Sequence, residues 1–263
     1  MRSPDKAFDL RAALTQEVRG AIEEFDAAGE YAPALHRCRV RLKRARAVAH
    51  VGRACAPGLS AVFNDSARAA MHALARARTE IALEAAATKA ADRTGKKSAA
   101  EALEAVASSL SAPKGLEGAA ETEAARAALR DLLALAQVWP EASPRQIKKG
   151  ALRIVRRANR AHESSDDDPH TRHQWRKREK DRAYAAQLLG GAWPRRRRLK
   201  LASKLGDVLG DERDALLLMA RVAADPALAG TQKAAEKALK ALNKRRAKLA
   251  RRADELGARL HAR

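Results

Sequence analysis

Aromatic residues are scarce in this 263-residue chain: three Trp, two Tyr and three Phe make up 3% of it. Few rings are therefore on hand to stack the bases of a single-stranded nucleic acid. The two cysteines, Cys38 and Cys55, form neither a CxxC pair nor a Cys/His metal-ligand spacing. That excludes a disulfide scaffold and a cysteine zinc site, and reads both as small buried hydrophobes. β-Branched residues are sparse, which argues against a sheet. No run approaches the ~20 apolar residues that cross a bilayer. The opening MRSPDKAFDLRAAL lacks the apolar stretch of a secretory signal, so a cytoplasmic protein with no membrane partner is expected. Gly-x-Ser-x-Gly, HExxH and a glycine-rich phosphate loop are also missing; an enzyme is not expected, and neither is a cofactor. The largest shortage is of acid. Asp and Glu number 32 against 53 Lys and Arg, a net charge of +21. Such a surplus repels itself unless something anionic is usually near. Nucleic acid, polyphosphate and anionic membrane all satisfy that condition.

What is present is the alphabet of helices: Ala, Leu, Arg, Lys and Glu. The class is all-α. Glycine and proline punctuation divides the chain into helices at about 6–28, 33–55, 59–92, 98–110, 120–138, 144–163, 169–190, 195–223 and 227–261, with a break near Asn64 or Asp65 inside the third. Asp168-Pro169 and Ser143-Pro144 pair a capping side chain with a proline suited to the first helical position. An internal repeat is also visible. Val18-Arg19 and Val155-Arg156 stand 155 − 18 = 137 residues apart, and His36 and His173 stand 173 − 36 = 137 apart. Arg78 and Arg213, in similar helical contexts, follow at 213 − 78 = 135. The offsets suggest two halves of one plan, 1–142 and 143–263.

Turned at about 100° per residue, the segment LHRCRVRLKRARAVAH (35–50) places Leu35, Cys38, Leu42, Ala45 and Ala49 on one face. His36, Arg39, Lys43, Arg46 and His50 fall on the next. These positions are helical neighbours, so the face is a ladder of cations with one rung per turn. The segment contains no acid to offset their repulsion. Residues 173–187 repeat the plan with His173, Arg176 and Lys180, widened by Lys177, while Trp175, Ala186 and Leu189 take the apolar side.

These residues resemble the CHAD domain, the conserved histidine α-helical domain. The first copy reads His36-x-x-Arg39-x-x-x-Lys43-Arg44-x-Arg46. The second reads His173-x-x-Arg176-Lys177-x-x-Lys180-x-x-x-Tyr184, close to the family's HxxRKxxKxxRY. LGDVLGDERD, Leu205 to Asp214, resembles a further landmark, and the likeness spans about residues 8–225. Two departures stand out. Ala183 replaces the arginine before Tyr184, and Arg78-Thr79-Glu80 stands where the second half has Arg213-Asp214. The resemblance implies two pseudo-symmetric four-helix bundles with a central basic cleft or tunnel that holds inorganic polyphosphate, and an association with polyphosphate granules.

Arginine forks suit phosphate oxygens and lysines supply point charges. Histidine would add a donor that strengthens as it protonates near its unperturbed pKa of ~6.5. The expected contacts are His36, Arg39, Lys43 and Arg46 with His173, Arg176, Lys177 and Lys180. Arg19, Arg156, Arg78 and Arg213 form the next ring, with Lys204, Arg153, Arg157, Arg160 and the run 195–198 beyond. His162, Asp166, Asp167, Asp168, His170 and His173 contain metal-ligand types, but SSDDDP reads better as a capped loop and no metal is expected. Binding to a nucleic-acid backbone and metal-dependent phosphohydrolysis stay open as alternatives. The oligomeric state is not legible, nor is the role of the basic C-terminal helix.

Overall fold

The structure, a computed structural model, describes residues 8–27, 31–73, 75–110, 119–195 and 198–262. Among these it shows α-helices and short 3-10 turns, with no strand: α1 (Leu10–Asp26), α2 (Tyr31–Gly52), α3 (Pro57–Ala73), α4 (Ala75–Ala91), α5 (Lys97–Ser109), α6 (Ala119–Gln137), α7 (Pro144–Glu163), α8 (Pro169–Leu189), α9 (Leu199–Ala224) and α10 (Gln232–His261). The all-α reading holds, and so do both proline-start signals. The Ser143 side chain accepts from the Gln146 backbone, with Gln146 reaching back to complete a capping box, and Asp168 accepts from the backbone N–H groups of His170 and Thr171.

Two boundaries differ from expectation. Asn64 breaks nothing: its side-chain amide donates to the Ser60 carbonyl one turn back, inside α3. The stretch 59–92 is helical through 73 and again from 75 to 91, residue 74 lying outside the described residues. The last helix begins at Gln232 rather than 227. Pro226 starts a 3-10 turn, Gly230 takes φ 83°, and Thr231 caps α10 through the Ala234 N–H. A left-handed glycine followed by a capping threonine is a stronger start signal than the proline before them.

Small residues let the helices approach closely. A Cβ added at Gly150 of α7 would fall 2.8 Å from the Val51 carbonyl carbon of α2. One at Gly52 would fall 2.7 Å from the ring of Trp139, which is fully buried and meets Phe63 edge-on at 5.8 Å. The core has three parts. Leu14, Val18, Leu42, Phe63, Leu132, Trp139 and Ile154 unite α1, α2, α3, α6 and α7, with the end of α8. Leu83, Leu103, Val106, Leu218 and Leu242 unite α4 and α5 with α9 and α10. Trp175, Leu205, Leu209, Leu256 and Leu260 close α8 against α9 and α10. The face read on α2 is the core face: Leu35, Cys38, Leu42, Ala45 and Ala49 are all buried. Each large aliphatic removed from water there contributes about 2 kcal/mol. Burial pushes the Cys38 thiol up to about 12, as suits an inert core residue.

Candidate functional site

Helix α2 packs against both α7 and α8, and α7 packs against α8. Once their apolar stripes are buried, the arginine-rich flanks of all three are forced together. Arg46 of α2, Arg157 of α7, and Lys177 and Arg178 of α8 surround one carboxylate, Asp181 of α8. The Arg178 Nη1 stands 3.5 Å from Asp181 Oδ2, and the Arg46 Nε donates to the Asn64 side chain at 3.3 Å. Arg68 of α3 adds its field to Arg46 and Lys177, and Arg53 adds its own to Arg153 and Arg157.

Burial lowers the pKa values of Arg46, Arg157 and Lys177, and neighbouring cations, Arg178 foremost for Arg157 and Lys177, push the same way. These groups remain charged at raised free energy, the condition an anion relieves. His50 lies in the same field. Burial and the cations Arg157, Arg46, Arg178 and Arg153 hold its imidazole down at about 3. It is neutral at ordinary pH, so its 3.8 Å contact with Asp181 is no ion pair. Burial lifts the Asp181 carboxyl above the usual range, against the pull of Arg46, Arg178, Arg157 and Lys177.

The other side of α8 faces α9, and its fit explains the LGDVLGDERD segment. A Cβ at Gly206 would come within 2.9 Å of the Lys180 stem, and one at Gly210 within 3.8 Å of the Arg176 Nε. The glycines give those long side chains room to lie along α9. The acids of the segment then tie down cations. Asp207 accepts from Lys180 at 3.1 Å, Asp211 from Lys89 at 2.6 Å, and Glu212 holds Arg172 in a two-pronged bond at 2.5 and 3.0 Å. Arg213 lies beside His173. Burial first, then Arg213, Arg176, Lys177 and His170, lower His173 to about 4. The expected titration near 6.5 is therefore not that of this imidazole: it is neutral at pH 7 because cations crowd it in a half-buried site.

A family model, the CHAD domain, matches residues 12–223. The chain belongs to the CHAD domain family. The crystal structure of the CHAD domain from the plant Ricinus communis is similar to it with a TM-score of 0.65 at 20% identity, covering 100% of this chain and 98% of that one. No curated protein matches. Helix α10 lies beyond the family-model span but within the structural match, so this CHAD domain uses it as part of the fold.

Within the CHAD domain the sequence-predicted residues fall into separate groups. Arg46 and Lys177 meet at the three-helix junction. His173, Arg176 and Arg213 line one small hollow between α8 and α9, and Lys180 follows them along α9. His36 is exposed at the mouth of a cavity of roughly 300 Å³ lined also by Lys89, Asp211 and Arg245. Arg39 turns inward and donates to the Met71 carbonyl. Lys43 is half-buried on α2, while Arg156 on α7 and Lys204 on α9 are exposed. Arg19 lies in an open hollow on α1 with Arg11 and Arg41. Arg78 belongs to α4, but its side chain lies outside the described residues. The acidic loop behaves as read: Asp166 accepts from the Thr171 hydroxyl and Asp168 caps α8. His162 instead stacks on His261 at 4.5 Å.

Sequence reasoning missed Arg178, Arg68, Arg53 and Asp181. Arg178 sits about 200° around α8 from Arg176, off the face that was followed. Only the docking of α7 and α2 onto that flank gives it a role. Tracing the flanks of α8 as well as its ladder would have exposed an acid among cations.

Proposed function

We propose that this CHAD domain binds inorganic polyphosphate, a long linear polyanion, at the junction of α2, α7 and α8 and onward along α8 to Arg176 and Arg213. In this reading it holds its ligand without cleaving it, and associates with polyphosphate granules in the cytoplasm. One observation carries the reading: the partly buried Arg46, Arg157 and Arg178 gather with the exposed Lys177 around one carboxylate, and the pKa values of Arg46, Arg157 and Lys177 are depressed. A chain of phosphates relieves their repulsion and offers an oxygen to each in turn. Trp139, Trp175 and Trp193 are all buried, so none can stack an unpaired base, which favours a polyanion without bases. The test is to bind fluorescent polyphosphate at near-physiological salt and compete with duplex DNA and tRNA, with the Arg157→Glu variant in parallel. Polyphosphate should survive competition at equal phosphate concentration, and the variant should lose at least tenfold in affinity. Displacement by DNA at parity, or an unaffected variant, would refute the assignment. Release of free phosphate in the presence of magnesium would contradict the non-catalytic part.

A further inference from the structure

The junction contains a group, Asp181, of the wrong sign for its proposed ligand. Asp181 projects from the middle of α8 into the cations of α2 and α7, with its side chain 20% exposed. Its contacts are loose. Arg178 Nη1 lies 3.5 Å from Oδ2 and the neutral His50 Nε2 lies 3.8 Å away, and no hydrogen bond satisfies the carboxylate among the described residues. The other acids of this region are tied much more firmly: Glu179, two residues back on the opposite side of α8, accepts from Trp175, Arg182 and His261, and Glu212 grips Arg172 at 2.5 Å. A structural carboxylate would be satisfied in the same way. Burial raises the Asp181 carboxyl, and the field of Arg46, Arg178, Arg157 and Lys177 opposes that rise without cancelling it; these are the same cations a phosphate chain would occupy.

We propose that Asp181 is a resident counter-anion that sets a minimum length for the anion this site retains. The proposal rests on the polyanion-binding reading above. In the empty protein the carboxylate neutralises part of the junction. An incoming phosphate then lies beside it and is repelled. A short phosphate confined to the junction bears that repulsion in full. A long chain offsets it with contacts at Arg176 and Arg213, and can shift its register to keep phosphates away from Asp181. The carboxylate is a specificity-determining group that acts by repulsion.

The experiment measures the affinity of triphosphate and of long-chain polyphosphate, across a salt series, for wild type, Asp181→Asn, Glu255→Gln and Arg157→Glu. Glu255→Gln adds the same unit of net charge at an exposed position of α10, where Glu255 pairs with Arg252. Asp181→Asn should tighten triphosphate by about tenfold, the size of one like-charge repulsion across several ångströms of partly wet protein. It should tighten long polyphosphate less, so that the long-to-short affinity ratio narrows, and it should steepen the salt dependence by about one unit of log–log slope. Asp181→Ser supplies the same comparison if the asparagine variant does not fold. Unchanged or weaker triphosphate binding by a folded Asp181 variant overturns the proposal, as does an equal gain in Glu255→Gln, which would assign the effect to net charge. If wild type binds and Arg157→Glu weakens it while Asp181→Asn does nothing, only this inference falls. If neither anion binds to wild type or to Asp181→Asn, the reading beneath it falls too.

Discussion

Acidification should unfold this protein through two histidines that cannot accept protons while it is folded. His50 is held at about 3 and His173 at about 4, in both cases by burial and then by surrounding arginines. In the unfolded chain both return to about 6.5. Through these two groups the unfolded state therefore binds more protons than the folded state from ~6.5 down to about 3, and stability falls as pH falls through that window. At about pH 4.5 each imidazole is protonated in the unfolded chain and largely neutral in the fold, a gap of roughly two pH units. At about 1.4 kcal/mol per unit that is nearly 3 kcal/mol per histidine and on the order of 5 kcal/mol for both. A loss of that size is a large part of the 5–15 kcal/mol typical of a domain. The assay is urea denaturation at about pH 7.5 and about pH 4.5 for wild type and the His50→Gln/His173→Gln variant. Asp166 and Glu179, whose pKa values are lowered by hydrogen bonds and ion pairs, also lose stability toward acid, and Asp181 acts in the opposite sense. All three are present in both proteins, so the difference isolates the histidines. Equal acid sensitivity of the two proteins would refute the reasoning.

Arg172→Met should destabilise by about 3–5 kcal/mol, since it strands the buried Glu212 and removes donors to Asp254 and the Ala250 carbonyl. Adding Glu212→Gln should recover much of that loss in the same denaturation assay. Gly150→Ala should force α7 away from α2 at Val51, costing about 1–3 kcal/mol in thermal melts. The binding assay should show weakened polyphosphate affinity as well, because Arg157 sits two turns further along α7 and would be displaced from Arg46.

Much of this was legible in the chain because helices are local objects. The 100° turn placed Leu35, Cys38, Leu42, Ala45 and Ala49 together, and all five are buried. Ser143 and Asp168 announced their caps. What sequence could not show was which flank of a helix meets which neighbour. Arg39 belongs to the same stripe as His36 and Lys43 by spacing, yet the approach of α3 gives its guanidinium the Met71 carbonyl, 32 residues away. Glu179 and Asp181 are two acids in one basic helix, each with an arginine three or fewer residues away. One is buried by α7 and α10 through His261, 82 residues on. The other is left loosely held among cations. The histidine pKa values were misjudged for the same reason, since the field on His173 comes largely from Arg213 on another helix.

The packing of α4 and α5 against α9 and α10 has a consequence for how the chain is made. Leu83, Leu103 and Val106 leave the ribosome long before Leu218 and Leu242. Between residues 110 and 242 lie 132 residues, which at about 5–20 residues per second take roughly 7–26 s to synthesise. For that interval the nascent chain carries an apolar face whose cover does not yet exist. Its yield in the cell should therefore depend on the speed of translation and on chaperones that shield that face until the C-terminal helices arrive.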